Sequence, residues 1–96
     1  MKLRTPDKSS NEIFAARGDH RGREEWVRKA KQYIKRELKQ SDVTYEQLAR
    51  RLREMGINET TGSVAAKIGR GLFPTWFFFA TMKAIGSEEF RLKDLR

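Results

Sequence analysis

Apolar residues along this chain take up a helical rhythm only after its first two dozen positions. From Glu24 onward, Trp26, Ala30, Tyr33, Ile34 and Leu38 recur at steps of four, three, one and four, which puts them on one stripe of a helix. Glu24 and Glu25 stand in its first turn, where the helix dipole favours anions. Arg28, Lys29, Lys31, Lys35, Arg36 and Lys39 cover the other faces, and Ser41-Asp42 breaks the pattern. A first helix over 24–40 is therefore predicted. Thr44-Tyr45-Glu46-Gln47 then has the form of a capping box, with Val43 placed to staple onto Leu48. Leu48, Ala49, Leu52 and Met55 supply the buried stripe of a second helix, Tyr45–Met55, and Gly56 a left-handed stop. Its outer face carries Arg50, Arg51 and Arg53, read as solvated charge.

Residues 57–62 read as a turn with several possible N-caps. Val64 and Ile68 lie four apart and face inward, Ala65 permits close approach, and Gly69 and Gly71 bracket Arg70. The third helix is thus short and ends near Arg70. After the break at Phe73-Pro74-Thr75, where Pro74 suits a helix start, a fourth helix over Thr75–Ile85 stops at Gly86. Its run Trp76-Phe77-Phe78-Phe79 points around more than one face. Phe78 or Phe79 with Met82 and Ile85 is expected to fill the core, leaving Trp76 and Phe77 as an association surface and homodimerisation as an expectation. Residues 87–96, with Phe90, Leu92 and Leu95, form either a short strand or a packed tail. Residues 1–23 have no period and read as a flexible basic tail, in which Ile13 and Phe14 suggest one helical turn docked on the body.

The pattern describes an all-α fold of four helices on residues 24–96, and 96 residues allow one domain. Charge changes the picture. With 21 Lys and Arg against 13 Asp and Glu, the net charge of +8 favours a polyanionic partner, nucleic acid before an anionic membrane. The absence of cysteine removes disulfides and thiolate sites. No apolar run approaches the length of a membrane span, and the N-terminus lacks the apolar stretch of a signal peptide. Asp7, Glu12 and Asp19 argue against a transit peptide, so a cytoplasmic, nucleoid-associated location is expected.

Little in the chain suggests catalysis. His20 has no second ligand at metal spacing. Glu24/Glu25 and Glu88/Glu89 are adjacent pairs that do not share a helix face, so neither makes an acid–base couple. Gly69-Arg70-Gly71 lacks the rest of a phosphate-binding loop. No enzyme, cofactor, metal or small-molecule substrate is expected.

A helix with inward Leu48, Ala49 and Leu52, a turn at Gly56 and a short helix with inward Val64 and Ile68 match helix-turn-helix organisation. The residues also carry a resemblance. Thr44-Tyr45-Glu46-Gln47-Leu48-Ala49-Arg50-Arg51-Leu52 resembles the opening of a phage-repressor (Cro/repressor, Xre-type) domain, with its Thr-x-x-x-Leu-Ala-x-x-Leu pattern. Ser63-Val64-Ala65-Ala66-Lys67-Ile68-Gly69-Arg70-Gly71 resembles that family's recognition helix, and Phe73-Pro74-Thr75 with Ala84-Ile85-Gly86 its closing helix. The chain departs from the family in a longer connection after Leu52, in lacking glutamine at the start of each motif helix, and in Gly69 where glutamate is frequent. The Thr-Tyr-x-x-Leu-Ala and Lys-Ile-x-Arg-Gly patterns are similar as well to a small bacterial helix-turn-helix domain of unknown function.

The repressor resemblance implies a lambda-repressor-like fold that binds double-stranded DNA to regulate transcription in a bacterium, phage or plasmid. Carried onto this chain, Thr60, Thr61, Gly62, Ser63, Ala66, Lys67 and Arg70 would face DNA, with Thr44 and Tyr45 touching phosphate at the second helix's start. N-capping is an equally good reading of Thr44, Thr60, Thr61 and Ser63. Lys2, Arg4, Lys8, Arg17, Arg21 and Arg23 would form a basic arm along phosphates or in a minor groove, if they are more than an unordered tail. Two rival readings stay open. One is a protein-interaction module, such as an antitoxin or an adaptor for RNA polymerase or a sigma factor, using Trp76–Phe79. The other is a nonspecific architectural nucleic-acid-binding protein driven by charge.

Overall fold

The computed structural model describes residues 21–96. Among these the chain is all-helical, with four α-helices, one short 3-10 turn and no strand: α1 Arg21–Ser41, α2 Tyr45–Glu54, α3 Thr61–Arg70, α4 Thr75–Ala84 and the turn Leu92–Asp94. None of the described helices is long and apolar enough to cross a membrane. One core cluster joins all four. Helix α3 packs against both α1 and α2, and α4 packs against α2.

Helix α1 already includes Arg21, Gly22 and Arg23, ahead of the expected start at Glu24, so Arg21 and Arg23 are helical. Adding a turn to an established helix costs little once the nucleus exists. Tyr33, Ile34 and Leu38 are the buried part of its stripe. Trp26 does not reach the core. It is 53% exposed, with the Lys29 ammonium 4.8 Å over its ring.

Helix α2 opens on the expected capping box. Thr44 Oγ1 accepts from the Gln47 amide at 3.1 Å, and Gln47 Oε1 accepts from the Thr44 amide at 2.9 Å. Val43 is buried with Leu48, as a staple requires. Leu48, Ala49 and Leu52 form the buried face, whereas Met55 is the C-cap residue and is exposed. Gly56 then reverses the chain at φ +87°.

Helix α3 repeats the device with a different partner. Thr60 Oγ1 accepts from the Ser63 amide at 3.0 Å, and Ser63 Oγ accepts from the Thr60 amide at 2.9 Å. Val64 and Ile68 are its buried residues. The helix ends on Gly71 in the left-handed region, φ +70°. A Cβ there would lie 2.8 Å from the Val27 carbonyl oxygen, so glycine serves both the turn and the contact with α1. Lys31 of α1 donates to the Gly69 carbonyl at 3.0 Å, placing a cation at the helix's negative end.

Helix α4 corrects the expected core assignment. Phe77, not Phe78 or Phe79, is fully buried, on a stripe with Thr81, Met82 and Ile85. Two positions further on, Phe79 turns to the opposite side and is 63% exposed. Phe78 is half-buried, 6.2 Å from the Tyr33 ring and 5.5 Å from the Phe90 ring. Phe77 therefore belongs to no association surface, while Trp76 remains exposed. Threonine at position 81 disguised the phase. Its hydroxyl is buried and has no hydrogen-bond partner among the described residues, so the apolar pattern pointed to Phe78, Met82 and Ile85 instead. The C-terminal segment is a tail packed on α1 rather than a strand: Phe90 meets Tyr33 edge-on at 5.1 Å, and Arg36 donates to the Asp94 carbonyl at 2.7 Å.

Candidate functional site

The connection from α2 to α3 is pinned by hydrogen bonds. The Ile57 amide donates to the Leu52 carbonyl and the Glu59 amide to the Ile57 carbonyl, each at 2.9 Å. Arg53 reaches forward to the Glu59 carbonyl at 2.9 Å. These bonds deliver Glu59, only 4% exposed, to the foot of α3.

There its carboxylate organises two of the predicted site residues. Ser63 Oγ donates to Glu59 Oε1 at 2.5 Å. Lys67 Nζ donates to Oε1 at 3.0 Å and to Oε2 at 3.1 Å. The same ammonium lies 5.6 Å from the centre of the Phe77 ring. A carboxylate so little exposed requires a charged partner and several donors. Lys67 and Ser63 supply them as charge-assisted hydrogen bonds. Both polar side chains are thus engaged inside the protein. Sequence reasoning missed Glu59, reading it as part of a turn. No local spacing signals it, because Glu59 precedes the extended N-cap Thr60 and lies outside the helix that carries Ser63 and Lys67.

The other predicted residues of α3 stay outside. Thr61, Gly62, Ala66 and Arg70 are exposed, together with Gly69. The outer face of α3 is therefore shallow, with threonine at one end and arginine at the other. At the start of α2, the Thr44 hydroxyl is engaged in its cap, and Tyr45 is half-buried. Burial raises the Tyr45 phenol above its usual pKa. A shallow hollow beside both is lined by Lys35 and Lys39 of α1, two basic residues that the sequence reading did not assign to a site. Of the basic arm, Lys2, Arg4, Lys8 and Arg17 lie outside the described residues, as do the turn expected over 12–16 and His20. Arg23 sits beside Val27 and Leu72, just past the end of α3.

Part of the chain's positive charge is structural. Arg51, expected to be solvated, donates to the Ala84 carbonyl at the end of α4, at 3.0 Å. Arg53, Lys31 and Arg36 each hold a backbone carbonyl in the same manner. Such side chains satisfy carbonyls that a helix end or turn leaves open.

Comparison with known proteins adds a family. A domain family described as Domain of unknown function (DUF6471) matches residues 26–90. No curated protein and no solved structure matches the chain. The matched span includes all four helices from the second turn of α1 onward, every buried core residue and the Glu59–Ser63–Lys67 cluster. The chain belongs to the DUF6471 family.

Proposed function

We propose that the protein is a double-stranded DNA-binding protein of the helix-turn-helix kind, with α2 and α3 as the motif and α3 as the helix that enters the major groove. The observation that carries the proposal is the outer face of α3. Thr61, Gly62, Ala66, Gly69 and Arg70 belong to no core, and no bulky side chain among the first four holds a groove away. A net charge of +8 supplies the long-range attraction. The first amides of a helix have no intrahelical acceptor, so those at Thr61 and Gly62 suit a phosphate at the positive end of the dipole. Lys35 and Lys39, beside Thr44 at the start of α2, suit a second backbone contact.

The cluster at Glu59 narrows the expected chemistry. Ser63 and Lys67 already have partners, so direct base contacts fall to Thr61 and Arg70, and Lys67 would have to exchange Glu59 for a base edge. Affinity then rests mainly on phosphates, with a modest sequence preference, and regulation of transcription follows as the biological reading. A second reading, a protein-binding module, draws on Trp76 and Phe79, which are 51% and 63% exposed.

Fluorescence anisotropy with a labelled duplex tests the proposal. Binding should weaken steeply as salt rises. Arg70→Ala should weaken binding to all duplexes alike if it touches phosphate, or erase preference at one position if it reads a base. Selection from a randomised duplex pool should enrich a short motif. No binding at low salt would overturn the DNA-binding reading, and enrichment of nothing would reduce it to a nonspecific binder.

A further inference from the structure

The end of the molecule formed by α4 and the C-terminal segment has a hollow that the DNA-binding proposal does not use. It measures about 390 Å³ and is lined by Phe78, Phe79, Met82, Lys83, Ser87, Glu88, Glu89 and Phe90. Its apolar rim is well exposed, since Phe79 projects from α4 and Phe90 is 44% exposed. Its charges differ from those of the rest of the chain. In a protein of net charge +8, this rim carries two carboxylates and one ammonium. Lys83, Glu88 and Glu89 are all exposed, and none of them makes an ion pair among the described residues.

We infer that this hollow is the contact surface for a second copy of the chain, in a twofold-symmetric homodimer. A twofold interface uses one patch on both subunits, so the patch must complement itself. This one does so in two respects. It has a projecting aromatic side chain, Phe79, beside a recess with room to receive one. It also carries unpaired charges of both signs, so Lys83 of each copy faces Glu88 and Glu89 of the other. A DNA backbone would be repelled by the two carboxylates. At a rim that carries charges of both signs, two copies can meet without the like-charge repulsion that a wholly basic patch would bring. The pairing covers the apolar surface that Phe79 and Phe90 leave exposed in the single chain. It stands independently of DNA binding, because none of the lining residues belongs to α2 or α3.

Sedimentation equilibrium of the full chain, without DNA and at tens of micromolar, tests it. The expected result is a monomer–dimer equilibrium. Phe79→Asp should raise the dimer dissociation constant by at least about tenfold, with an unchanged helical circular dichroism spectrum. Lys83→Glu should also weaken the dimer, and so should Glu88→Lys with Glu89→Lys. Combining all three charge changes should restore it, which a merely structural role would not do. A chain that is monomeric at every concentration would overturn the inference. So would a dimer indifferent to Phe79→Asp, or charge variants that the combination fails to rescue. Loss of the dimer through Trp26→Ser, with Phe79→Asp silent, would move the interface elsewhere and overturn it equally.

Discussion

Helices α3 and α4 are both ten residues long and follow one another in the chain, yet they meet solvent in opposite ways. Helix α3 buries two β-branched residues and turns small side chains outward, while its polar groups Ser63 and Lys67 are bound by Glu59. Helix α4 has aromatic residues on all sides, so burying Phe77 forces Trp76 and Phe79 into water. One helix is satisfied in itself and leaves a smooth face. The other is unsatisfied and leaves a sticky one. The comparison shows why apolar content alone does not locate a partner surface: the phase of the helix decides which aromatic is core and which is left for contact.

The largest expected effect tests that phase within α4. Phe77→Ala should cost roughly 3–5 kcal/mol by emptying the core, whereas Phe79→Ala should change the stability of the monomeric chain by no more than about 0.5 kcal/mol. Urea denaturation followed by circular dichroism measures both, and equal costs would erase the distinction. Next comes the Glu59 cluster of α3. Glu59→Ala should destabilise by about 2 kcal/mol, less than for a fully buried pair because the Lys67 side chain is 30% exposed. It should also free Lys67, so that DNA affinity rises as stability falls. Affinity that drops in step with stability would contradict the view that Glu59 holds Lys67 back. Thr60→Ala removes the acceptor for the Ser63 amide and should cost about 1 kcal/mol, read as a shift of the thermal midpoint.

Replacing the partnerless hydroxyl of α4 should work the other way. Thr81→Val should be neutral or stabilising by up to about 1 kcal/mol in the same denaturation experiment, since the change removes a buried group with no hydrogen-bond partner among the described residues. The smallest effect is alkaline. Tyr33 is raised above the usual phenol range mainly by burial, with Glu37 and Asp94 adding to the shift and Arg36 and Ser87 opposing it; Tyr45 is raised by burial alone. A raised phenol favours the neutral form in the folded state, so its contribution is complete below the unfolded value of 10.0. It is lost as pH climbs through the higher folded value. Stability should therefore fall as pH rises from 10.0 toward the folded value, and Tyr45→Phe should make the fall shallower. A Tyr45→Phe profile parallel to the wild-type one would refute it.

Much of the helical frame was legible in the residues. The Thr44/Gln47 capping box, the Val43 staple and the Leu48-Ala49-Leu52 face depend on neighbours within a turn or two, and local spacing carries that information. The start of α1 was misplaced because Arg21-Gly22-Arg23 has no apolar residue to betray a helix, whose first turn can form without burying anything. The phase of α4 was misread because a buried threonine imitates a surface residue. Glu59 escaped notice because a glutamate in a turn ordinarily faces water. Only the folded connection, pinned by Arg53 and Ile57, carries it inward to Lys67.

The sequence by itself determined an all-α chain, its main breaks, its capping residues and a strongly positive charge, because these follow from local periodicity and composition. Only the tertiary structure decided which polar groups are already bound and which aromatics remain in water. Lys67 looks as available as Arg70 when read along the chain, and Phe77 more exposed than Phe79. What separates each pair is a contact across the fold: Glu59 beneath Lys67, and the core around Phe77. Burial depends on what packs opposite a residue, and no spacing within one helix records that.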